Sequence, residues 1–291
     1  MLHMLEGRCG AAGGRGRIII QSSAGQYTRV STTQTFSARH GAVHIAVHAF
    51  GSGPRVVMMP SLGRGAADFF GIAERLAAAG YRVLCPEPRG IGASRGPLAG
   101  ITLHDYARDI AAVIEHDGGK PTVVAGHAFG NFVARATAAD FPRLVRAVVL
   151  LAATHTWPLA PELRDSINKC HQMELPEDVR LQHLQHVFFA PGNDARVWLD
   201  GWNDAVMHAE RAATEATPKP EWWTAGTAPV LDVLALNDPL SPPDSITCYR
   251  DQWGASRVTL AKIDNAAHAL LPEQPAAVAA AIVSYMQQLP A

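Results

Sequence analysis

The pattern of apolar positions changes period repeatedly along this chain. Val43, Ile45 and Val47 alternate with His44, Ala46 and His48. Gly41 stands before them and Gly51-Ser52-Gly53-Pro54 after, so Phe36–Phe50 predicts an antiparallel hairpin strand. Then come Val56–Met59, Tyr81–Cys85, Thr122–Ala125 and Val145–Leu151, short continuous apolar runs of the kind buried on both faces of a parallel sheet. Helical spacing separates them: Phe69, Ile72 and Leu76 closing at Gly80, Leu103, Tyr106, Ile110 and Val113 within Thr102–Glu115, and Phe132, Val133 and Ala136. The alternation resumes with strands at Val230–Leu236 and Val258–Ile263 and helices at Asp244–Trp253 and Pro275–Leu289. Strands and helices taking turns at this spacing predict an α/β chain with a mostly parallel, doubly wound sheet and right-handed crossovers. In such a sheet the loops past the strand ends, at Pro60, Pro86 and Gly126, converge on one rim.

Two stretches break this rhythm. Residues 1–34 are rich in glycine, serine, threonine and glutamine and predict a flexible N-terminal extension, with Ile18-Ile19-Ile20 as a candidate edge strand. Residues 154–225 show no strand period. Prolines interrupt their helical stretches, and they hold five of the six tryptophans (Trp157, Trp198, Trp202, Trp222, Trp223). The expected organisation is a core of residues 35–153 and 226–291 with a helical cap, 154–225, inserted into it. The tryptophans are expected to build the cap's own core, with one or two facing a substrate cavity.

Composition narrows the function classes. A formal net charge of −1 over 291 residues offers no broad basic footprint, so neither nucleic acid nor an anionic membrane surface is the expected partner. No apolar run approaches the roughly 20 residues needed to span a bilayer. Four scattered cysteines lack C-x-x-C spacing, and the N-terminus lacks an apolar signal core, which fits a cytoplasmic location. The expected partner is a small-molecule substrate, with no cofactor.

Two histidine patterns invite a metal reading. His40, His44 and His48 recur every fourth residue, but on an alternating strand that spacing leaves them as solvated side chains. His183-x-x-His186 has no third ligand at a telling distance, so structural or surface histidines are expected there too. The stronger signal is TVVAGHAFGNFVAR, Thr122–Arg135: an apolar strand, then Gly126-His127-Ala128-Phe129-Gly130, then a helix. Glycines two residues either side of a central position match the nucleophile elbow, a strained turn that lifts one side chain above the sheet. The central residue here is Ala128, which carries no nucleophilic atom.

Five landmarks in order resemble the α/β-hydrolase superfamily, in its capped branch of proline-iminopeptidase-like and C–C-hydrolase-like enzymes, over about residues 40–289. They are Leu62-Gly63 with Asp68-Phe69, PEPRGIGAS at Pro86–Ser94, GHAFG at Gly126–Gly130, ALNDPLSPP at Ala235–Pro243 and NAAHALLPEQP at Asn265–Pro275. The resemblance implies an α/β-hydrolase fold with a helical cap insertion and an ester or related carbonyl substrate. It implies chain order nucleophile, acid, histidine, which puts position 128 as the nucleophile site, Asp238 as the orienting acid and His268 as the base. The backbone N–H groups of Leu62 and Phe129 would form the oxyanion hole. Ser61, Arg64, His127 and Trp157 are candidate substrate contacts. Departures cluster at the site: Ala128 for the nucleophile, Pro60-Ser61 for His-Gly, Asn131 for a small residue and Ala267 for glycine.

Ala128 leaves three readings. In the first, the chain is an ester hydrolase whose serine has been exchanged for alanine. In the second, alanine is native, and His268 held by Asp238 activates water or takes a substrate proton, or Ser61 acts as a donor or displaced nucleophile. The plainer reading of Ser61, a hydroxyl capping the following helix, is preferred over that last role. In the third, the capped cavity binds a ligand without catalysis, although a buried Asp–His pair is costly to keep without use.

Overall fold

The computed structural model describes residues 34–153, 159–241 and 245–290. Eight strands form one sheet: β1 (Gln34–His40), β2 (Val43–Phe50), β3 (Arg55–Met59), β4 (Arg82–Pro86), β5 (Thr122–His127), β6 (Val145–Leu151), β7 (Val230–Ala235) and β8 (Val258–Ile263). Their order is β1-β2-β4-β3-β5-β6-β7-β8, antiparallel from β1 to β4 and parallel from there on. The expected single alternating strand is thus a full hairpin, turned at Gly41 with φ 53°.

The apolar runs of the central strands serve two cores at once. Val57, Val124, Val148 and Leu150 face one side, and Val56, Met58, Val123, Ala125, Val149 and Leu151 the other. The first side is covered by α2 (Leu103–His116) and α3 (Phe129–Asp140), the second by α1 (Phe70–Ala78) and the last long helix. A strand with period-two faces buried on both sides has no polar positions to spare, so the runs are continuous. Local signals fix the helix starts: Asp105 accepts from the Thr102 backbone N–H at 2.9 Å, a capping contact that opens α2.

Between β6 and β7 lie α4 (Pro161–Cys170), α5 (Glu177–Phe188), a 3-10 turn at Ala195–Trp198, α6 (Asp204–Ala216) and α7 (Lys219–Trp222). Helices α4 and α5 and the 3-10 turn share a small apolar centre of Cys170, Leu184, Val187, Phe188, Phe189 and Trp198, which also takes in Ala269 from the far end of the chain. Ala213 of α6 and Trp222 of α7, with Trp223 beside it, instead pack into the sheet's own core rather than a separate one. Downstream come α8 (Cys248–Trp253), α9 (Leu270–Glu273) and α10 (Pro275–Gln288). Helix α8 begins four residues later than the expected Asp244. Ile18–Ile20 and Trp157 lie outside the described residues. His40 and His48 are not merely solvated: His40 Nε2 stands 2.5 Å from Asp109 and His48 Nε2 3.2 Å from Glu87, because neighbouring acids reach over the hairpin.

Candidate active site

The turn after β5 is built by close approach. A Cβ on Gly126 would lie 2.0 Å from the Gly130 carbonyl oxygen, and a Cβ on Gly130 would lie 2.2 Å from the Met59 oxygen. Both positions therefore admit only glycine, which is the physical content of the G-x-x-x-G spacing. Between them Ala128 is forced to φ 48°, ψ −111°, a conformation that costs a side-chain-bearing residue about 1–3 kcal/mol. Its N–H donates to the Leu151 oxygen at 3.1 Å, and its carbonyl accepts from the Asn131 N–H at 3.1 Å and from the Asn131 side chain. Asn131, where a small residue was the norm, is buried and bonds the turn itself.

His268 and Asp238 arrive from the ends of β8 and β7. His268 Nδ1 lies 2.9 Å from Asp238 Oδ2, and both side chains are buried. The Leu240 N–H donates to Asp238 Oδ1 at 2.8 Å, which leaves the other oxygen for the imidazole. An ionised carboxylate at Nδ1 selects the Nδ1–H tautomer and turns the Nε2 lone pair the other way. The loop carrying His268 is held by Glu273, which accepts from the Ala267 N–H at 2.7 Å, the Ala190 N–H at 2.6 Å and Asn193 Nδ2 at 2.7 Å. Burial raises the Glu273 pKa even against these three donors.

A cavity of about 300 Å³ opens over this point, and Ser61, Leu62, Ala128, Phe129 and His268 line it together. The remaining walls combine apolar side chains, among them Phe132, Phe188 and Trp202, with the polar His171, Arg211, Thr214 and Glu215. Of the tryptophans described in the inserted segment, Trp202 faces the cavity, while Trp198 packs in that segment's apolar centre.

Two expected substrate contacts are placed elsewhere. Arg64 gives Nε and Nη2 to Asp68 at 2.5 and 2.8 Å and Nη1 to the Asp200 oxygen at 3.1 Å. Its guanidinium sits 4.6 and 4.8 Å from the Trp198 and Trp202 ring centres, a buried cation satisfied on every side. His127 is fully buried and bonds the His268 carbonyl through Nε2 at 2.7 Å. Burial, helped by the nearby His268, pushes its pKa down to about 3, so it is a neutral strut behind the site. Ser61 does line the cavity, but it caps no helix: the first helical turn after it, Ala66–Phe69, has Gly65 at its N-cap. His183 Nδ1 stands 3.1 Å from the Ser166 hydroxyl, and among the described residues no group of three or more His, Cys, Asp or Glu side chains is arranged to hold a metal.

Two carboxylates had no sequence signal. Glu210, on α6, accepts from the Gly63 N–H at 2.6 Å, and the Asn203 N–H donates to the Gly63 oxygen at 2.9 Å. Full burial raises the Glu210 pKa well above the ordinary carboxylate value. Nothing in HAERAA marks Glu210 as different from a solvated helix acid. Glu273 lies inside the NAAHALLPEQP landmark, but only its three donors reveal its task.

Residues 54–194 match the model of the alpha/beta hydrolase fold family. RutD of Variovorax paradoxus, which carries a carbamate hydrolase name, is 33% identical over 112 residues, 38% of this chain and 42% of that protein. The 2-(acetamidomethylene)succinate hydrolase of Mesorhizobium japonicum is 31% identical over 114 residues, 39% of this chain and 41% of that one. The chain thus spans about two fifths of the length of these curated relatives. Among solved structures, a thermophilic esterase from Thermogutta terrifontis superposes with a TM-score of 0.72 at 19% identity, covering 88% of this chain and 99% of that one. Sheet order and elbow agree with the family model over residues 54–194, and the chain has the α/β-hydrolase fold.

Proposed function

We propose that this protein is a hydrolase of carboxylic esters or related carbonyl compounds, in which His268 activates water directly. The observation that carries it is the 2.9 Å Asp238–His268 pair on the wall of the cavity that Ala128 also lines. Water beside Ala128 gives a proton to His268 Nε2 as its oxygen bonds to the substrate carbonyl carbon. Asp238 stays ionised and steadies the imidazolium. The tetrahedral oxyanion meets the N–H groups of Leu62 and Phe129, whose residues line the same cavity. Collapse breaks the bond to the alcohol, which leaves with the proton from Nε2. General base assistance of this kind contributes about 10²–10⁴-fold.

The test is turnover of short-chain p-nitrophenyl esters by the protein, His268→Ala, Asp238→Asn and Ala128→Ser, each also treated with a fluorophosphonate. Turnover by the native chain should fall by about 10²-fold or more in His268→Ala. The Ala128→Ser variant should gain labelling at position 128. Equal activity in native and His268→Ala proteins would sink the water mechanism. Because Ser61 faces the cavity and caps no helix, labelling of Ser61 in the native chain would move the nucleophile there. Ligand binding without turnover in every form would point to a binding role.

A further inference from the structure

The wall of the cavity contributed by α4, α6 and the residue after α4 carries polar groups that the proposed reaction does not use. Arg211 lines this wall beside His171, Thr214 and Glu215. Among the described residues it has no carboxylate partner. Its hydrogen bond is a long one, Nη2 to Asn168 Oδ1 at 3.4 Å. Other arginines near the site are paired at closer range, Arg64 with Asp68 and Arg89 with Asp109 at 2.6 Å. Glu215, one turn further along α6, also lines the cavity but is solvent-exposed and forms no ion pair with Arg211. Arg211 is only half-buried, and without a counter-ion its planar fork is free to hold a carboxylate in two parallel bonds.

His171 supplies a second observation. It lines the same cavity and is nine-tenths buried, and its Nε2 has no hydrogen-bond partner. Nδ1 lies 3.1 Å from Asp204, which selects the Nδ1–H tautomer and leaves Nε2 an acceptor. Burial lowers its pKa, opposed by Asp204 and assisted by Arg211, so the ring is held neutral. A chain of rings separates this wall from the base: His268 to Phe188 at 5.5 Å, Phe188 to Trp202 at 6.2 Å, Trp202 to His171 at 6.2 Å. A ligand with one end at each wall lies along aromatic faces.

We propose that this wall is a carboxylate-binding subsite, with Arg211 as the anchor and His171 Nε2 accepting from a neighbouring polar group, so that the substrate is an anionic ester or related carbonyl compound with an apolar middle. The inference deepens the hydrolase reading and takes its substrate from it, but the subsite itself is tested by binding alone. The probes are phenylacetate and the neutral phenylacetamide, nearly equal in shape, titrated into the full chain by calorimetry. Phenylacetate should bind at least 10-fold more tightly. Arg211→Gln should remove that preference while phenylacetamide binding and the melting temperature stay unchanged, and Arg211→Lys should keep part of it. His268→Ala should keep the whole preference, so loss of the hydrolase mechanism and loss of the subsite are told apart. Equal affinity for the two probes in the native chain, or an undiminished preference in Arg211→Gln, overturns the proposal.

Discussion

At position 128 the chain keeps the backbone of a nucleophile elbow with a methyl group where an attacking atom would stand. Glycine adopts φ 48°, ψ −111° far more readily than alanine. Ala128→Gly therefore exchanges strain of about 1–3 kcal/mol for the extra chain entropy glycine loses on folding, roughly 0.4–1 kcal/mol. A small net gain follows, read as a rise of about 2–4 °C in melting temperature for each kcal/mol. The neighbouring glycines behave oppositely. Gly130→Ala would drive a methyl group to within 2.2 Å of the Met59 oxygen, on a rigid parallel strand. Overpacking of that kind costs at least about 1–3 kcal/mol, so this variant should melt several degrees lower in the same assay. Residue chemistry was only partly legible in the sequence. The pairing of Asp238 with His268 was legible because each follows a strand end within a patterned loop. Arg64 misled because a loop arginine at the rim looks free until the two tryptophans that flank it, 134 and 138 residues downstream, fold against it.

Among elements, the strands of the sheet were the easiest to read. Continuous apolar runs mark β3, β5 and β6 within two residues of their observed ends. The elements between β6 and β7 were not readable singly, since their positions follow from packing against one another and against the rim. Their attachment depends on polar contacts with no local signature. Arg64 is one such tie, and breaking it leaves Asp68 and the two tryptophan faces without their cation. Loss of one partner from a buried pair costs about 3–5 kcal/mol. Arg64→Met should accordingly lower the melting temperature and raise the proteolytic sensitivity of residues 195–204 without touching the His268–Asp238 pair. Limited proteolysis with mapped cleavage sites measures it.

Over the whole molecule, charge is balanced but not evenly placed. Asp232 on β7 is fully buried, and among the described residues neither of its carboxylate oxygens has a hydrogen-bond partner. Burial raises its pKa to about 7, with Arg135 pulling the other way. The folded chain thus binds a proton that the unfolded chain, with an ordinary carboxylate near 3.9, has already released. That stability is complete below the unfolded pKa, declines across pH 4 to 7, and is gone once the pH passes the folded value. Asp232→Asn keeps the shape and removes the titration. Its stability relative to the native chain should climb by about 3 kcal/mol as pH rises from 5 to 8, out of about 4 kcal/mol between the two pKa values, read as a relative rise in melting temperature. A flat difference across that range would mean that Asp232 is already ionised at pH 5 in the folded chain, as an ordinary carboxylate would be.

The grip on Gly63 has a consequence for the order of events. Both backbone groups of that residue are engaged by the segment between β6 and β7, its N–H by Glu210 and its carbonyl by Asn203. The peptide just before it presents Leu62 to the cavity. On the proposed reaction, an opening of that segment to admit a ligand would undo part of the oxyanion wall, and its closing would rebuild the wall around whatever has entered. Entry and readiness would then not coincide. A molecule too long to be enclosed meets an unfinished wall, so the upper size limit on substrates should be a threshold. Across p-nitrophenyl esters of increasing acyl length, kcat should stay level and then fall abruptly at the length that prevents closure, whereas a site open at rest would show a gradual decline.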